Sequence, residues 1–189
     1  SGPENRNIQL NTGRQIRIIG DPNANVSDVI LDAEFNGSHF NITGDYDSTL
    51  FFQNITFIRG SGQSDPGGNN MRRGGSIEMV GGSFWDEKTQ QQIEGFPSPK
   101  FVNCVWEDNH AGGFNDEGLG GAIIITDASP IFVGCKFTNN GAGNFGGAFY
   151  AQTYSPEHAS SPEFRGTLFS NNHVETQDGL AQGGAVKLS

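Results

Sequence analysis

The sequence is poor in everything that spans membranes or grips polyanions. No apolar run approaches the roughly 20 residues of a membrane helix, so this segment is not expected to insert into a bilayer. Runs of Leu, Ala, Glu and Lys, which favour helices, are missing. Basic residues are scarce, with 11 Lys and Arg against 21 Asp and Glu and a formal net charge of −10. That sign repels DNA, RNA and anionic lipid, which excludes nucleic acid as a partner. It suits cations, neutral sugars or basic protein surfaces, although most of the charge serves only to keep the surface solvated. There are 2 Cys, 2 Trp and 3 Tyr, whereas Gly (28) and Phe (15) are abundant for 189 residues. This composition predicts many short strands and tight turns in one domain of ordinary size, and it is too rich in Phe and Ile for a disordered chain. The opening SGPENRN carries no signal-peptide pattern and the last residues, GGAVKLS, stop in mid-pattern. Residues 1–189 therefore read as a single domain and a fragment of something longer.

What is present is an internal repeat. FFQNITFIRG (51–60), KFVNCVWEDN (100–109), IFVGCKFTNN (131–140) and EFRGTLFSNN (163–172) align without gaps. Phe52, Phe101, Phe132 and Phe164 share one column, and Phe57, Trp106, Phe137 and Phe169 another. Between them stands a column of Asn54, Asn103, Gly134 and Gly166, residues that adopt a left-handed backbone at least cost, so the column predicts a sharp bend between two strands. Asn109, Asn140 and Asn172 close the later units and read as further corners. A second set precedes or follows these units: GGSIEMV (74–80), GGAIIIT (120–126), GGAFYAQ (146–152) and GGAVKLS (183–189). The Phe column recurs at intervals of 49, 31 and 32 residues, the first lengthened by the insertion GGSFWDEKTQQQIEGFPS. Parity places Phe101, Cys104 and Trp106 inward, and Val102, Val105 and Lys136 outward. Three short strands per repeat without a helical pattern predict an all-β fold over residues 1–189, a single-stranded parallel β-helix domain of about 5–6 coils, in which each repeat buries its apolar face only by stacking on its neighbours.

GGAI (120–123), GGAV (183–186), FTNN (137–140) and FSNN (169–172), with GGAF (146–149), GGSI (74–77) and WEDN (106–109) as near matches, resemble the repeat tetrapeptides GGA(I/L/V) and FxxN of the chlamydial polymorphic outer membrane proteins and related β-helix surface proteins. The resemblance covers roughly residues 50 to 189. It implies a right-handed parallel β-helix, surface display and adhesion.

Candidate chemistry is sparse. Cys104 and Cys135 share a column one repeat apart. Stacked Cβ atoms near 4.8 Å exceed the roughly 3.8 Å of a disulfide, so stacked free thiols are favoured and a bridge stays open as the alternative. His110 and His173 share a column with Gly141 between them, two repeats or roughly 10 Å apart, which is too far to share a metal; these and His39 and His158 read as exposed loop histidines. GAGNFG (141–146) has the letters of a dinucleotide loop but precedes a strand, so no helix N-terminus is there to hold a pyrophosphate. Glu107, Asp108, Asp116 and Glu117 surround a glycine-rich loop and form a candidate calcium set, as do Asp45 and Asp47 in GDYDS, without matching an EF-hand. Calcium is the one cofactor the sequence suggests.

Many β-helix proteins cleave polysaccharides, but no convergent base or carboxylate pair emerges here. The leading expectation is a non-enzymatic extracellular or cell-surface module for adhesion or carbohydrate and ligand binding, with a glycan or a surface protein as partner. The alternatives are a polysaccharide lyase or hydrolase and a structural spacer of a fibrous protein. Binding is expected in the loops that vary between repeats, with Phe84, Trp85 and Tyr154 as residues that could stack on sugars. Four Asn-x-Ser/Thr sequons stand at Asn25, Asn36, Asn41 and Asn54.

Overall fold

The computed structural model of the chain describes residues 6–11, 15–44, 50–64, 71–86, 90–112, 117–175 and 181–189. Its local geometry follows from the repeat. In the three-residue strands of the Phe columns the aromatic faces the core and is fully buried in the inner repeats, as at Lys100–Val102 and Val105–Glu107, while Phe164 and Phe169 of the last repeat are partly buried, because successive side chains point to opposite faces. The predicted bend is there: Asn54, Asn103, Gly134 and Gly166 have φ of 55°, 49°, 60° and 57°. The second bend departs from expectation. The left-handed residues are Arg59, Asp108, Asn139 and Asn171, at φ of 54°, 52°, 55° and 54°. Asn109, Asn140 and Asn172, read from sequence as corners, stand one position later and turn their amides toward the interior.

The GG pairs divide two tasks. The first glycine takes the left-handed turn (Gly120 φ 66°, Gly146 φ 62°), and the second lets adjacent backbones touch: a Cβ on Gly121 would lie 2.0 Å from the Gly147 carbonyl oxygen.

The fold is all-β, dominated by parallel sheets. A six-stranded sheet contains Ile8–Leu10, Phe40–Thr43, Ile77–Val80, Ile123–Thr126, Phe149–Gln152 and Val186–Leu188. A five-stranded sheet contains Arg17–Ile19, Phe51–Gln53, Lys100–Val102, Ile131–Val133 and Glu163–Arg165. A second five-stranded sheet contains Ile30–Asp32, Thr56–Ile58, Val105–Glu107, Lys136–Thr138 and Leu168–Ser170. The chain visits these three sheets in that order again and again, and each strand pairs with its counterparts in the preceding and following passages. A small parallel sheet, His110–Ala111, Gly141–Ala142 and His173–Val174, follows the third sheet. The insertion forms an antiparallel hairpin of Gly82–Asp86 with Gln91–Gly95.

Register turns the sequence columns into aromatic stacks. Phe52 pairs with Phe101, Phe101 with Phe132 and Phe132 with Phe164. Their rings lie 4.8, 5.1 and 5.1 Å apart and nearly parallel. Phe57, Trp106, Phe137 and Phe169 form a second stack at 5.2, 4.6 and 4.8 Å. The two meet edge to face, as at Phe101 and Trp106, 5.2 Å apart at 73°. Strand spacing and favourable ring separation are nearly the same length, so the backbone ladder and the aromatic ladder support one another.

Beside the second stack runs a ladder of buried amides. Asn109 Oδ1 accepts from the Gly60 N–H at 2.9 Å, and Asn109 Nδ2 donates to the Phe57 carbonyl and to Asn140 Oδ1, both at 3.0 Å. Asn140 Oδ1 also accepts from the Asn109 N–H, while Asn140 Nδ2 donates to the Trp106 carbonyl and to Asn172 Oδ1. Replacing Asn140 by Ala removes the four hydrogen bonds of its side chain and strands buried partners on Asn109 and Trp106. Chemical denaturation is expected to show a loss of about 2–4 kcal/mol, against a smaller loss for Asn172→Ala, which stands at the partly exposed end of the ladder.

His39, expected as a loop histidine, is instead buried at 1% exposure. Its Nε2 lies 2.8 Å from the Leu31 carbonyl, which can only accept, so Nε2 carries the proton and Nδ1 accepts from the Ser76 hydroxyl at 3.0 Å. Burial pushes its pKa from 6.5 down to about 4. Between those values the unfolded chain takes up a proton that the folded chain refuses, so stability falls as pH falls through that window. The His39 contribution at pH 5 is about 2 kcal/mol below that at pH 8. Denaturation midpoints measured across this range are expected to fall less steeply in His39→Gln.

Candidate functional site

The outward side of the second bend carries different chemistry in successive repeats. Its left-handed column reads Arg59, Asp108, Asn139 and Asn171, and all four side chains leave the core. Beside the first three lies an open groove of about 770 Å³, lined also by Phe35, Arg72 and His110. Phe35 is 53% exposed, and the Arg59 guanidinium lies 6.0 Å over its ring. Arg59 also pairs with Asp32, and its hydrogen bonds hold the Asp32 carboxyl below the usual carboxylate range. Arg72 Nη1 donates to the Ser61 carbonyl at 3.4 Å. Asp108 and Asn139 are exposed. The Asn109 amide, which also borders the groove, is committed to the internal ladder.

Phe35 and Arg59 both have left-handed backbones, at φ of 56° and 54°, and the Phe35 N–H donates to the Arg59 carbonyl at 2.7 Å. Bulky residues pay for that conformation, whereas Asn and Asp adopt it readily. Two such residues in contact on a groove wall place strain where a surface ring and a guanidinium are displayed together.

At the groove's edge the small parallel sheet corrects the expectation for the histidines. His110 pairs with Gly141, and Gly141 with His173. The two histidines are two strands apart, as the sequence implied, yet their ring centroids are only 6.3 Å apart. The rings lean into the space Gly141 leaves open. His173 Nε2 lies 2.9 Å from one Glu175 carboxylate oxygen and His110 Nε2 lies 3.9 Å from the other. Desolvation lowers the His110 pKa from its ordinary value, opposed in part by the Glu175 charge.

Three of the four residues of the expected calcium set, Glu107, Asp108 and Glu117, are described. Glu107 is half-buried on its strand, Asp108 lines the groove and Glu117 is exposed. Among the described residues these three do not gather their carboxylates into one cluster; the group that does converge is His110, His173 and Glu175. Asp116, Asp45 and Asp47 lie outside the described residues. Of the aromatics expected to stack on sugars, Trp85 is 62% exposed and Tyr154 72% exposed, while Phe84 is half-buried opposite Ile93 in the hairpin. Phe96 stacks on His158 with ring centroids 3.6 Å apart, which ties the base of the hairpin to the loop that carries Tyr154. The sequons divide by burial: Asn25 and Asn36 are exposed, whereas Asn41 is buried.

Sequence reading did not identify Phe35, Arg59 or Arg72 as groove residues. They come from three separate segments, and nothing in their local pattern announces a shared wall. The His110–His173 approach did leave a signal, a glycine between two histidines in one column.

No protein family, curated protein or solved structure matches the chain.

Cys104 and Cys135 are free and buried. Each sulfur lies near a backbone carbonyl, Val102 for Cys104 at 3.5 Å and Phe101 for Cys135 at 3.6 Å. Burial raises their pKa values to about 12 and about 11. A thiol, unlike a thiolate, is a poor nucleophile. A disulfide-exchange reagent at pH 8 is therefore expected to titrate less than one thiol per native chain within minutes and two once denaturant is added.

Proposed function

We propose that the chain is a right-handed parallel β-helix acting as a non-enzymatic, extracellular or cell-surface binding module, with a glycan held in the groove beside the second bend. The repeated visit to three parallel sheets in constant order supports the helical path, and the strong preference of parallel crossovers for one hand supports its handedness. The motif resemblance to polymorphic outer membrane proteins points toward surface display and adhesion.

The groove carries the functional reading. Planar polar groups at Arg72, Asp108 and Asn139 surround the exposed Phe35 face in a concavity of about 770 Å³. Sugars offer hydroxyl pairs for such groups and apolar C–H faces for an aromatic ring. A binding role fits better than hydrolysis, because Asp108 is the one carboxylate among the described residues lining the groove and glycoside hydrolysis ordinarily uses two. The aromatic corner with Trp85 and Tyr154 lies on the hairpin and on the loop after the first sheet, apart from this set.

A glycan array followed by titration calorimetry tests the reading. Asp108→Ala and Arg72→Ala are each expected to weaken binding of the best glycan about 10-fold or more, a loss of one or two charge-assisted hydrogen bonds. Trp85→Ala is expected to leave it unchanged. Loss confined to Trp85→Ala would move the site to the hairpin, and release of new reducing ends or unsaturated products would replace binding with catalysis.

A further inference from the structure

We propose that His110, His173 and Glu175 form a binding site for a divalent transition metal of the zinc class, held open by the absent side chain of Gly141. Their ligand atoms, two imidazole nitrogens and a carboxylate oxygen, lie within 4.8 Å of one another. Tetrahedral ligands at bond lengths of about 2.0–2.1 Å are about 3.3 Å apart, so small side-chain rotations close the site. Two imidazoles and one carboxylate suit zinc and its neighbours in the first transition row rather than calcium or magnesium, which prefer all-oxygen shells. Three protein ligands leave a fourth position for water or a ligand atom.

The site is built into the backbone ladder. The His110, His173 and Glu175 N–H groups donate to the carbonyls of Gly60, Asn140 and Ala142 at 2.8, 3.0 and 2.8 Å. The side chains are 31%, 47% and 42% exposed, so an ion can enter from solvent.

Gly141 is the second, independent feature. A Cβ there would lie 2.6 and 2.7 Å from His110 ring atoms and 2.9 Å from His173 Nε2. The gap is thus matched in size and position to the approach of the two rings. None of the three ligands is on the Gly141 strand itself, and the close approach of Gly141 is to histidine rings rather than to backbone, unlike that of Gly121. The site shares His110 with the groove wall, and metal uptake is measured without any glycan.

The test uses the full chain freed of metal by chelation and titrated with Co²⁺ and Zn²⁺ in millimolar Mg²⁺, which occupies simple acidic surface sites. The expected result is one equivalent bound, with the visible absorption of Co²⁺ in a nitrogen and oxygen environment displaced by Zn²⁺. His173→Ala is expected to weaken Zn²⁺ binding about 100-fold, and Gly141→Ala by about 10-fold or more with an unchanged far-UV circular dichroism spectrum. His158→Ala is expected to bind as the parent does. Failure of the parent chain to take up one equivalent overturns the proposal, as does undiminished affinity in His173→Ala, whose exposed side chain makes misfolding no explanation. Undiminished affinity in a folded Gly141→Ala overturns the role of the gap.

Discussion

The buried amide ladder is the constraint on which the other columns depend. An asparagine side chain has two donors and one acceptor, and burying it without partners costs more than the bonds return. Here the next repeat supplies partners: Asn109 and Asn140 reach Asn140 and Asn172, and they also cap carbonyls of Phe57 and Trp106. This works only if successive passages are in register. A slip by one residue would face an aromatic with an amide and turn the inward set outward. The ladder fixes register by hydrogen bonding, while the Phe and Trp stacks contribute apolar burial with little preference among neighbouring rungs.

The same register explains why glycine decides what happens at the edges. Along the GG column the second glycine allows backbone to approach backbone, as Gly121 approaches Gly147. At Gly141 the missing side chain instead admits two imidazoles. Repetition brings like residues to like places at strand spacing, and an empty rung doubles that spacing while leaving room for the flanking side chains to bend together. Distances between columns therefore cannot be converted into distances between functional atoms without asking what fills the rung between.

Much of the scaffold was legible in the sequence because columns of identical residue type report a shared environment. The Phe52 to Phe164 column and the bend at Asn54, Asn103, Gly134 and Gly166 appear as read. Asn109 was misassigned because asparagine serves both as a left-handed corner and as a buried amide; Asp108 beside it holds the corner. His39 was missed because it stands in the irregular N-terminal part, where no column announces that position as buried, and its neighbours Ser76 and Leu31 satisfy both ring nitrogens only in three dimensions. The groove was illegible for a related reason. Phe35, Arg59 and Arg72 share no period, and their meeting depends on passages of unequal length.

Departures from the repeat are where the chemistry gathers. The left-handed column after the third sheet accepts Asp108, Asn139 and Asn171 at low cost, but Arg59 occupies it against its preference, and Phe35 faces the same penalty nearby. Each such residue costs about 1–2 kcal/mol of backbone strain. The Arg59–Asp32 ion pair and the Phe35–Arg59 backbone hydrogen bond offset part of it. An exposed ion pair on a surface this acidic is a weak stabiliser. Stability alone would be served as well by asparagine at position 59. The arginine gains meaning from its position on the groove wall, where it lies over an exposed ring and places a cation in a chain of net charge −10. Because Asp32 already neutralises that guanidinium, a glycan held there as proposed would meet the arginine as a planar hydrogen-bonding group and Phe35 as an apolar face, not a free positive charge.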